Sequence, residues 1–520
     1  MANTKTNRQT IAAIKRYRTA QITKMITRSV VLHRRGKQEE MYSMLGDGMV
    51  ELGGVYVKFL QGVLLQSEKM RYWKNPDKLK IFDRLDSEPL DIVQLLRNEL
   101  PTDKLSLIKD IQPEPFAAGS FGQVYYGTHA NGSKVIVKVL RPMIAETLRY
   151  DLRLLGRLSK SVSKRFFNNS SVDMSIAFKE FAAATLNETD YRGEAEFAAE
   201  QYEAYKNHPK LVVPRTYLDL CTDKIIVQDY VEGVAASYLV SLIDQGVDVV
   251  DWVKDQTGSD LDAQLSTLSY ELLLGTFTLP RIMGDPHPGN VKLLPDNKVG
   301  LIDFGIYARP VHNQAAYLGM LKEYDKLNKG ELDIVSLFTS TLRFFGGDLY
   351  RALISVGSIA AKDVDLNKEL SKAVESNFYE MSGGQDFKEI VRSPKAITLI
   401  NKAANNNNKF GFIIKIESSE LLRAAQSVIN LMDSLGRYQA VIPGVYEKII
   451  QEVEQSRPDL VRTQDDAMPT SQAIDIVTEW LERVADRDPA LFQSLINKLR
   501  LKDSTINHTA NASETVNSPS

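Results

Sequence analysis

Two polar motifs near the middle of the chain constrain its fold more than any other feature. Residues 284–290 read GDPHPGN, and residues 301–305 read LIDFG at the end of an apolar run. Together they supply Asp285, Asn290 and Asp303, in an order that phosphoryl transfer from ATP requires. One Asp positions the acceptor, while the Asn and the second Asp hold magnesium. Such a site also needs a phosphate-binding loop, a lysine and a carboxylate upstream.

A loop of small residues precedes the first β-rich run. Residues 117–124 read AAGSFGQV and follow Pro115. Small side chains allow backbone N–H groups to approach a triphosphate, where a Cβ atom would clash. The candidate ATP-binding residues of this loop are Ala117, Ala118, Gly119, Ser120, Phe121, Gly122 and Val124.

Lys138 lies among aliphatic residues, one hairpin after the loop, in the run VIVKVL. We interpret it as a phosphate-binding lysine, although a strand residue that faces solvent would fit the same alternation. A lysine in such a place needs a carboxylate, and Glu188, Asp190 and Glu194 lie on a predicted helix. Asp190 and Glu194 would share one face and repel each other unless a cation lies between them. A solvated acidic helix is the alternative.

A further strand is predicted over residues 224–230, and it leads into a linker between two lobes. Backbone groups of Asp229, Tyr230 and Val231 are therefore the candidate adenine-binding groups of the chain. The set of candidate cofactors is ATP with Mg²⁺.

The order of helical and β-rich regions indicates an α+β, two-lobed protein-kinase-like fold with an N-terminal helical extension. Helices are predicted over residues 9–70, 144–205, 236–282 and 313–500, and strands over 124–128, 135–140, 212–218, 224–230, 291–294 and 299–302. We divide the chain into a basic helical arm (1–44), a helical extension (45–112), an N-lobe (113–233), a mostly helical C-lobe (234–500) and a disordered tail (501–520).

Charge is distributed unevenly along the chain. Residues 1–37 contain ten Lys or Arg and no acid, a formal charge of +10, which leaves about −12 on the remainder. Such an arm favours an anionic partner, here a membrane surface, over nucleic acid. A solvated helix without a ligand and an organellar import sequence are the alternatives. The sequence leaves the oligomeric state open.

The single cysteine, Cys221, excludes an intrachain disulfide and fits a reducing compartment. Its thiol is better explained as a small core residue than as a nucleophile. No apolar stretch reaches the length of a membrane span, so we predict no transmembrane helix. The expected location is the cytoplasm, with peripheral attachment to a membrane.

These motifs resemble those of the UbiB/AarF-type atypical kinases, a family tied to ubiquinone and other prenyl-lipid metabolism, over residues 45–435. The run GDPHPGN is close to the catalytic loop of the family. Residues 188–190, which read ETD, match its Glu-x-Asp motif, and Glu194 falls where the family has its lysine-pairing Glu. Residues 58–61, which read KFLQ, resemble its Lys-x-Gly-Gln motif.

Lys58 also interrupts a predicted apolar helix over residues 49–65. It shares a face with Gln61, and a buried charge there would need Glu188 or Asp190 as its partner. A lysine that extends to solvent is the alternative. The resemblance implies that these four residues cap the cleft that admits a protein substrate in other kinases. It therefore implies ATPase or lipid-linked activity more than general protein phosphorylation.

Three departures from the family pattern concern the glycine loop, the extension and the catalytic loop. Gly119 and Gly122 give a loop nearer that of ordinary kinases, Leu60 replaces a family Gly, and residues 283–284 read MG instead of His-Ala. We thus expect an MgATP-binding atypical kinase or ATPase that supports prenyl-lipid metabolism at a membrane surface. A protein kinase with a protein acceptor and a non-catalytic, ATP-gated scaffold are the alternatives.

Overall fold

The protein is described by a computed structural model with a mixed α+β fold, rich in helices. The structure describes residues 2–60, 90–118, 121–166, 174–310 and 313–331, short pieces between 336 and 344, and residues 347–360, 416–462 and 468–493 without 488 and 491. The chain divides into two compact units. The first comprises Met1–Val234 with Gly300–Ile306, and the second Ala235–Val299 with Tyr307–Ser520.

The first half contains α1 (Ala2–Arg34), α2 (Gln38–Leu52), α3 (Val55–Phe59), α4 (Ile92–Glu99), α5 (Thr102–Leu105), β1 (Ile108–Lys109), β2 (Ala117–Ala118), β3 (Gly122–His129), β4 (Lys134–Leu140), α6 (Pro142–Phe166), α7 (Met174–Asn187), α8 (Tyr191–Tyr205), β5 (Leu211–Val212) and β6 (Ile225–Asp229). The second half contains β7 (Val234–Ala235), α9 (Ala236–Ile243), α10 (Val249–Thr257), α11 (Leu261–Thr278), β8 (Ile282–Met283), β9 (Val291–Leu294), β10 (Lys298–Leu301), β11 (Tyr307–Ala308), α12 (Gln314–Asn328), α13 (Asp348–Ala360), α14 (Ile416–Ser434), α15 (Tyr438–Ser456), α16 (Pro458–Arg462) and α17 (Thr470–Arg487).

The first unit is built around an antiparallel sheet in the order β1-β3-β4-β6, with β2 paired to β3. Alternation in β4 buries Val135, Val137 and Val139 on one face, because successive side chains of a strand point to opposite sides. Gly132 turns the β3–β4 hairpin with a φ of 91°, which is why the Asn-Gly pair was a reliable turn signal. The strands predicted over 124–128, 135–140 and 224–230 are thus confirmed.

The strand predicted over residues 212–218 is wrong beyond its start. Only Leu211–Val212 is strand, and a short 3₁₀ turn occupies Leu218–Leu220. Thr216 pairs with Gln228 as an isolated bridge, so the segment lies along β6 without forming a ladder. β propensity alone could not reveal this, because it reflects packing as much as backbone preference.

The continuous helix predicted over residues 49–65 is also wrong. α2 ends at Leu52, and Gly53 and Gly54 both take positive φ, at 68° and 49°, before α3 starts. Glycine adopts this left-handed region without the steric penalty that a side chain imposes. Lys58 therefore lies on the short helix α3 (Val55–Phe59), and Gln61 lies outside the described residues.

The helical region predicted over 144–205 contains a break at the acidic motif. α7 ends at Asn187, and Asp190 is the N-cap of α8, where its side chain accepts a hydrogen bond from the Gly193 amide at 3.1 Å. Asp is a favoured N-cap because its carboxylate satisfies an otherwise unpaired amide. The interpretation that Asp190 shares a helix face with Glu194 is therefore wrong, and Asp190 precedes the helix.

The basic arm is part of the first unit. Ile22, Met25 and Leu32 on α1 are buried in a cluster with side chains of α2, α3 and α6. In the part of the chain that the structure describes, no helix is both long enough and apolar enough to cross a membrane. Residues 361–415 and the predicted tail, 501–520, lie outside that part.

The second unit is mainly helical. α11 contributes the buried residues Leu265, Leu268 and Leu272 to its interior, and α15 packs against both α11 and α12. β8 and β11 form an antiparallel pair in which Met283 lies opposite Tyr307. This pair fixes the start of the loop that contains Asp285.

Candidate functional site

Three charged side chains of the first unit meet at one point. Lys138 Nζ lies 2.7 Å from Glu194 Oε1 and 3.0 Å from Glu194 Oε2. The same nitrogen lies 3.4 Å from Asp303 Oδ2. The structure thus brings together the lysine, the carboxylate and the second aspartate that the sequence singled out.

Each of the three is held by a different element. Lys138 lies on β4, where Val124 of β3 and Ile226 of β6 are its neighbours in register. Glu194 lies in the first turn of α8, and its side chain is only 3% exposed. Asp303 follows β10, and its Oδ1 accepts a hydrogen bond from the Gly305 amide at 3.0 Å. The Lys138 amine thus meets two carboxylates with fixed orientations.

Phe304 anchors the segment that contains Asp303. Its ring is buried and packs edge-on against Phe197 of α8, with 5.9 Å between ring centroids. The Phe304 backbone also forms a hydrogen bond with Glu194. Such packing restricts the carboxylate of Asp303 before any ligand arrives, which is the preorganisation that a binding site needs.

When Glu194 and Asp303 are both ionised, the cluster with Lys138 carries one negative charge in excess. The pKa of Glu194 is raised to about 7. Burial is the largest cause of this rise, the charge of Lys138 opposes it, and the charge of Asp303 adds to it. Burial also opposes the charge of Lys138, but Asp303 and Glu194 together raise the Lys138 pKa well above its usual range. One ammonium therefore serves two carboxylates, and an additional cation would relieve their repulsion.

The chemistry of this cluster fits a magnesium ion that arrives with phosphates. Mg²⁺ prefers oxygen ligands and is commonly held by one or two carboxylates plus substrate phosphates. The Asp303 side chain is 39% exposed and can offer oxygen to such an ion. Among the described residues, no group of three or more His, Cys, Asp or Glu forms an all-protein metal site.

The small-residue loop has a structural constraint that the sequence did not show. A Cβ atom on Gly122 would lie 2.3 Å from the Tyr191 hydroxyl and 2.7 Å from the Val139 carbonyl oxygen. Gly122 is therefore required for packing within the unit. Ala117 and Ala118 form β2, whereas Gly119 and Ser120 lie outside the described residues.

Tyr191 is a site residue that the sequence reasoning missed. It is 1% exposed, Lys138 Nζ lies 5.3 Å from its ring centroid, and burial raises the pKa of its hydroxyl. The available signal was its position three residues before Glu194, because i and i+3 share a helix face.

Lys58 contacts both the acidic motif and the loop. Its amine pairs with the Glu188 carboxylate and lies 4.7 Å from the ring centroid of Phe121. Glu188 is therefore the partner that meets Lys58, while Asp190 caps α8. α3 is thus held against Phe121 of the loop and against the acidic motif.

The three backbone amides of the predicted adenine-binding linker differ in their hydrogen bonding. Asp229 N–H donates to the Arg215 carbonyl and Tyr230 N–H to the Lys134 carbonyl, each at 2.9 Å. Across the described parts of the chain, the Val231 amide has no acceptor, and Val231 is 8% exposed. Of the three amides, that of Val231 is the one left to meet a ligand.

Asp285 and Asn290 belong to the second unit. Asn290 Nδ2 donates to the Asp285 carbonyl oxygen at 3.0 Å, which ties the two ends of the loop together. Asn290 then retains its side-chain oxygen as a candidate metal ligand. His287 Nδ1 accepts a hydrogen bond from the Gly289 amide at 2.9 Å, a structural use of the imidazole. Ser427, which the sequence did not indicate, donates to Asp285 Oδ1 at 2.8 Å.

Comparison with known proteins places these residues in context. Residues 80–332 match a protein-family model described as the ABC1 atypical kinase-like domain. "Protein ACTIVITY OF BC1 COMPLEX KINASE 3, chloroplastic" from Arabidopsis thaliana is 29% identical over 271 residues, 52% of this chain and 36% of that relative. "Protein ACTIVITY OF BC1 COMPLEX KINASE 7, chloroplastic" from the same organism is 25% identical over 439 residues, which are 82% of this chain and 59% of that relative.

The chain therefore spans less than two thirds of the length of these relatives. Among solved structures, this chain was matched to one described as the complex of Rv3197 and erythromycin from Mycobacterium tuberculosis. The match covers 81% of this chain and 98% of the chain in that structure, with 18% sequence identity and a TM-score of 0.44.

Proposed function

Because residues 80–332 carry an ABC1 atypical kinase-like domain, the chain belongs to the UbiB family of atypical kinases, and we propose that it is an MgATP-dependent phosphotransferase or ATPase. The observation that carries this proposal is the cluster of Lys138, Glu194 and Asp303. MgATP, when bound, supplies the phosphoryl group and the divalent ion. The chain supplies the groups that hold both.

The proposed roles follow from what each side chain offers. Lys138 contacts phosphate oxygens as a cation, and Glu194 keeps its amine in place through two hydrogen bonds. Asp303 and Asn290 offer oxygens to magnesium, and Asp285 positions the acceptor or takes its proton. The amide of Val231 donates to adenine, and the loop from Ala117 to Val124 covers the phosphates.

The central test is stabilisation of the protein by MgATP in thermal unfolding. Asp303→Asn and Lys138→Met should each abolish the nucleotide-dependent rise in midpoint. Lys224→Met is a matched control, since Lys224 lies beside the same sheet but pairs with Glu99. Asp296→Asn, at an exposed turn, is the control for the aspartate. An unchanged rise in both site variants would contradict the proposal.

The acceptor that we propose is water, a small molecule or a prenyl lipid. The contacts of Lys58 with Glu188 and Phe121 support this choice, because they hold a helix of the extension beside the loop. Phosphate release from ATP should increase when prenyl-phenol compounds and anionic lipid are added. Transfer of radiolabel to a protein, lost in Asp285→Asn, would instead favour the protein kinase alternative.

We further propose that the protein works at an anionic membrane surface through the basic arm. Exposed basic side chains of α1 include Arg16, Lys24 and Arg28, whereas Arg18 turns inward to Asp151. The four acids of α2 reduce the formal charge of residues 1–52 to +6. The remaining positive charge is enough for attraction to anionic lipid, at about 1 kcal/mol per basic residue near the surface.

A further inference from the structure

The carboxylate of Asp285 is held by a helix that lies far away in the sequence. Ser427 Oγ of α14 donates to Asp285 Oδ1 at 2.8 Å, across a separation of 142 residues. From this contact we infer that Ser427 is a positioning residue, which orients Asp285 toward the acceptor. The inference rests on the proposed function, because it assigns Ser427 a role in the same reaction.

α14 is fixed to the segment of Asp285 at two points. Arg309 directly follows β11, and its guanidinium meets Glu420 of α14 at 2.9 and 3.2 Å. Glu420 and Ser427 are seven residues apart, so they lie on one face of the helix. β11 pairs with β8, which leads directly into Asp285. The helix therefore contacts the residue that follows β11 and the loop that follows β8.

The loop by itself leaves the carboxylate free to rotate. Asn290 binds the backbone carbonyl of Asp285 and not its side chain. In the described chain, no other side chain donates to the Asp285 carboxylate. With Oδ1 occupied by Ser427, Oδ2 is left to accept a hydrogen bond from the acceptor. Fixing a reacting group in this way can change a rate strongly, because small misplacements reduce it.

This contact comes from a part of the chain that the family match does not cover. The ABC1 match ends at residue 332, whereas α14 starts at Ile416. The residues that hold metal and phosphate can thus be shared with the family, while the environment of the acceptor depends on the helix α14. The Ser427 contact with Asp285 therefore lies outside the residues that match the domain model.

The test compares three substitutions on one helix. Ser427→Ala removes the hydroxyl, and Ser427→Thr keeps it. Ser434→Ala is the matched control, because Ser434 lies two turns further along α14 and, among the described residues, its hydroxyl donates only to the Leu431 carbonyl. Alanine favours helices, so neither alanine variant should unfold α14. Phosphate release, MgATP-dependent thermal stabilisation and hydrogen exchange without nucleotide are measured for each.

We expect Ser427→Ala to lower kcat for phosphate release roughly tenfold, with stabilisation by MgATP retained. Without nucleotide, amides of residues 284–290 should exchange faster in this variant, while Ser427→Thr and Ser434→Ala match the parent. A parent-like rate and parent-like exchange in Ser427→Ala would overturn this inference alone. Absence of both phosphate release and MgATP stabilisation in the parent would overturn the proposed function, and the inference with it.

Discussion

Glu194 binds Lys138 through both of its carboxylate oxygens, at 2.7 and 3.0 Å. The pair shares its surroundings with a second carboxylate, that of Asp303. The acid is therefore buried next to a like charge, and the free energy of folding should depend on its protonation.

Glu194→Gln should change how thermal stability depends on pH. Burial chiefly raises the pKa of Glu194 from 4.5 to about 7. A raised folded pKa adds stability that is complete below 4.5 and is lost as pH rises through 7. As pH rises from 4.5 to 7, the midpoint temperature of unfolding of the parent should therefore decrease relative to that of Glu194→Gln. Glu196→Gln, on the exposed side of α8, is the control, and a pH-independent difference would contradict the prediction.

Asp151→Ala should destabilise the first unit by about 3 kcal/mol, as expected when one partner of a buried ion pair is removed. The Asp151 side chain is 4% exposed, pairs with Arg18 of α1 and accepts a hydrogen bond from the Tyr56 hydroxyl at 3.2 Å. Thermal unfolding would show the loss. Glu203→Ala, in the exposed pair with Lys206, should leave the midpoint nearly unchanged. Equal effects would argue against a buried network.

Gly122→Ala should cost about 1–3 kcal/mol, because the added methyl group cannot fit without backbone movement. Its Cβ would lie 2.3 Å from the Tyr191 hydroxyl and 2.7 Å from the Val139 carbonyl. Adding Tyr191→Phe should recover part of the loss in chemical denaturation, since one of the two clashes disappears. Gly319→Ala, in α12 with open space around it, should not destabilise the protein. No recovery in the double variant would contradict this geometry.

The sequence predicted the elements and residues that have local signals. Alternating apolar residues identified β4, and Lys138 among them required a carboxylate, for which Glu188, Asp190 and Glu194 were candidates. The family resemblance, and not the spacing, favoured Glu194. The break before α8 was missed because no Gly or Pro marks it, although Asp190 is a good N-cap residue. Ser427 could not be predicted, because a serine 142 residues away from its partner carries no local sign of the contact.

Cys221 should react slowly with alkylating reagents in the folded protein. Burial raises the pKa of its thiol to about 11, and the Val227 amide donates to the sulfur at 3.4 Å. Because the thiolate is the nucleophile, labelling at pH 8 should be far slower than in denaturant and should increase as pH rises toward 11. As the chain has one cysteine, mass spectrometry reads this site alone. Rapid labelling at pH 8 would contradict a buried thiol.

Membrane attachment through the basic arm is best tested without deleting it. Removal of residues 1–37 would take Ile22, Met25 and Leu32 out of a packed cluster, so a loss of binding could reflect unfolding. Replacing the exposed residues Arg16, Lys24 and Arg28 with Gln keeps that packing and removes three charges.

The affinity of this triple variant for anionic vesicles, measured by sedimentation at low salt, should fall by about two orders of magnitude, since each basic residue contributes about 1 kcal/mol. The parent should lose the same binding as salt is added, because the attraction is screened. Lys210→Gln combined with Lys254→Gln removes exposed charges elsewhere and should leave binding unchanged. Equal binding by the parent and the triple variant would mean that α1 serves the folded unit and does not attach it to a membrane.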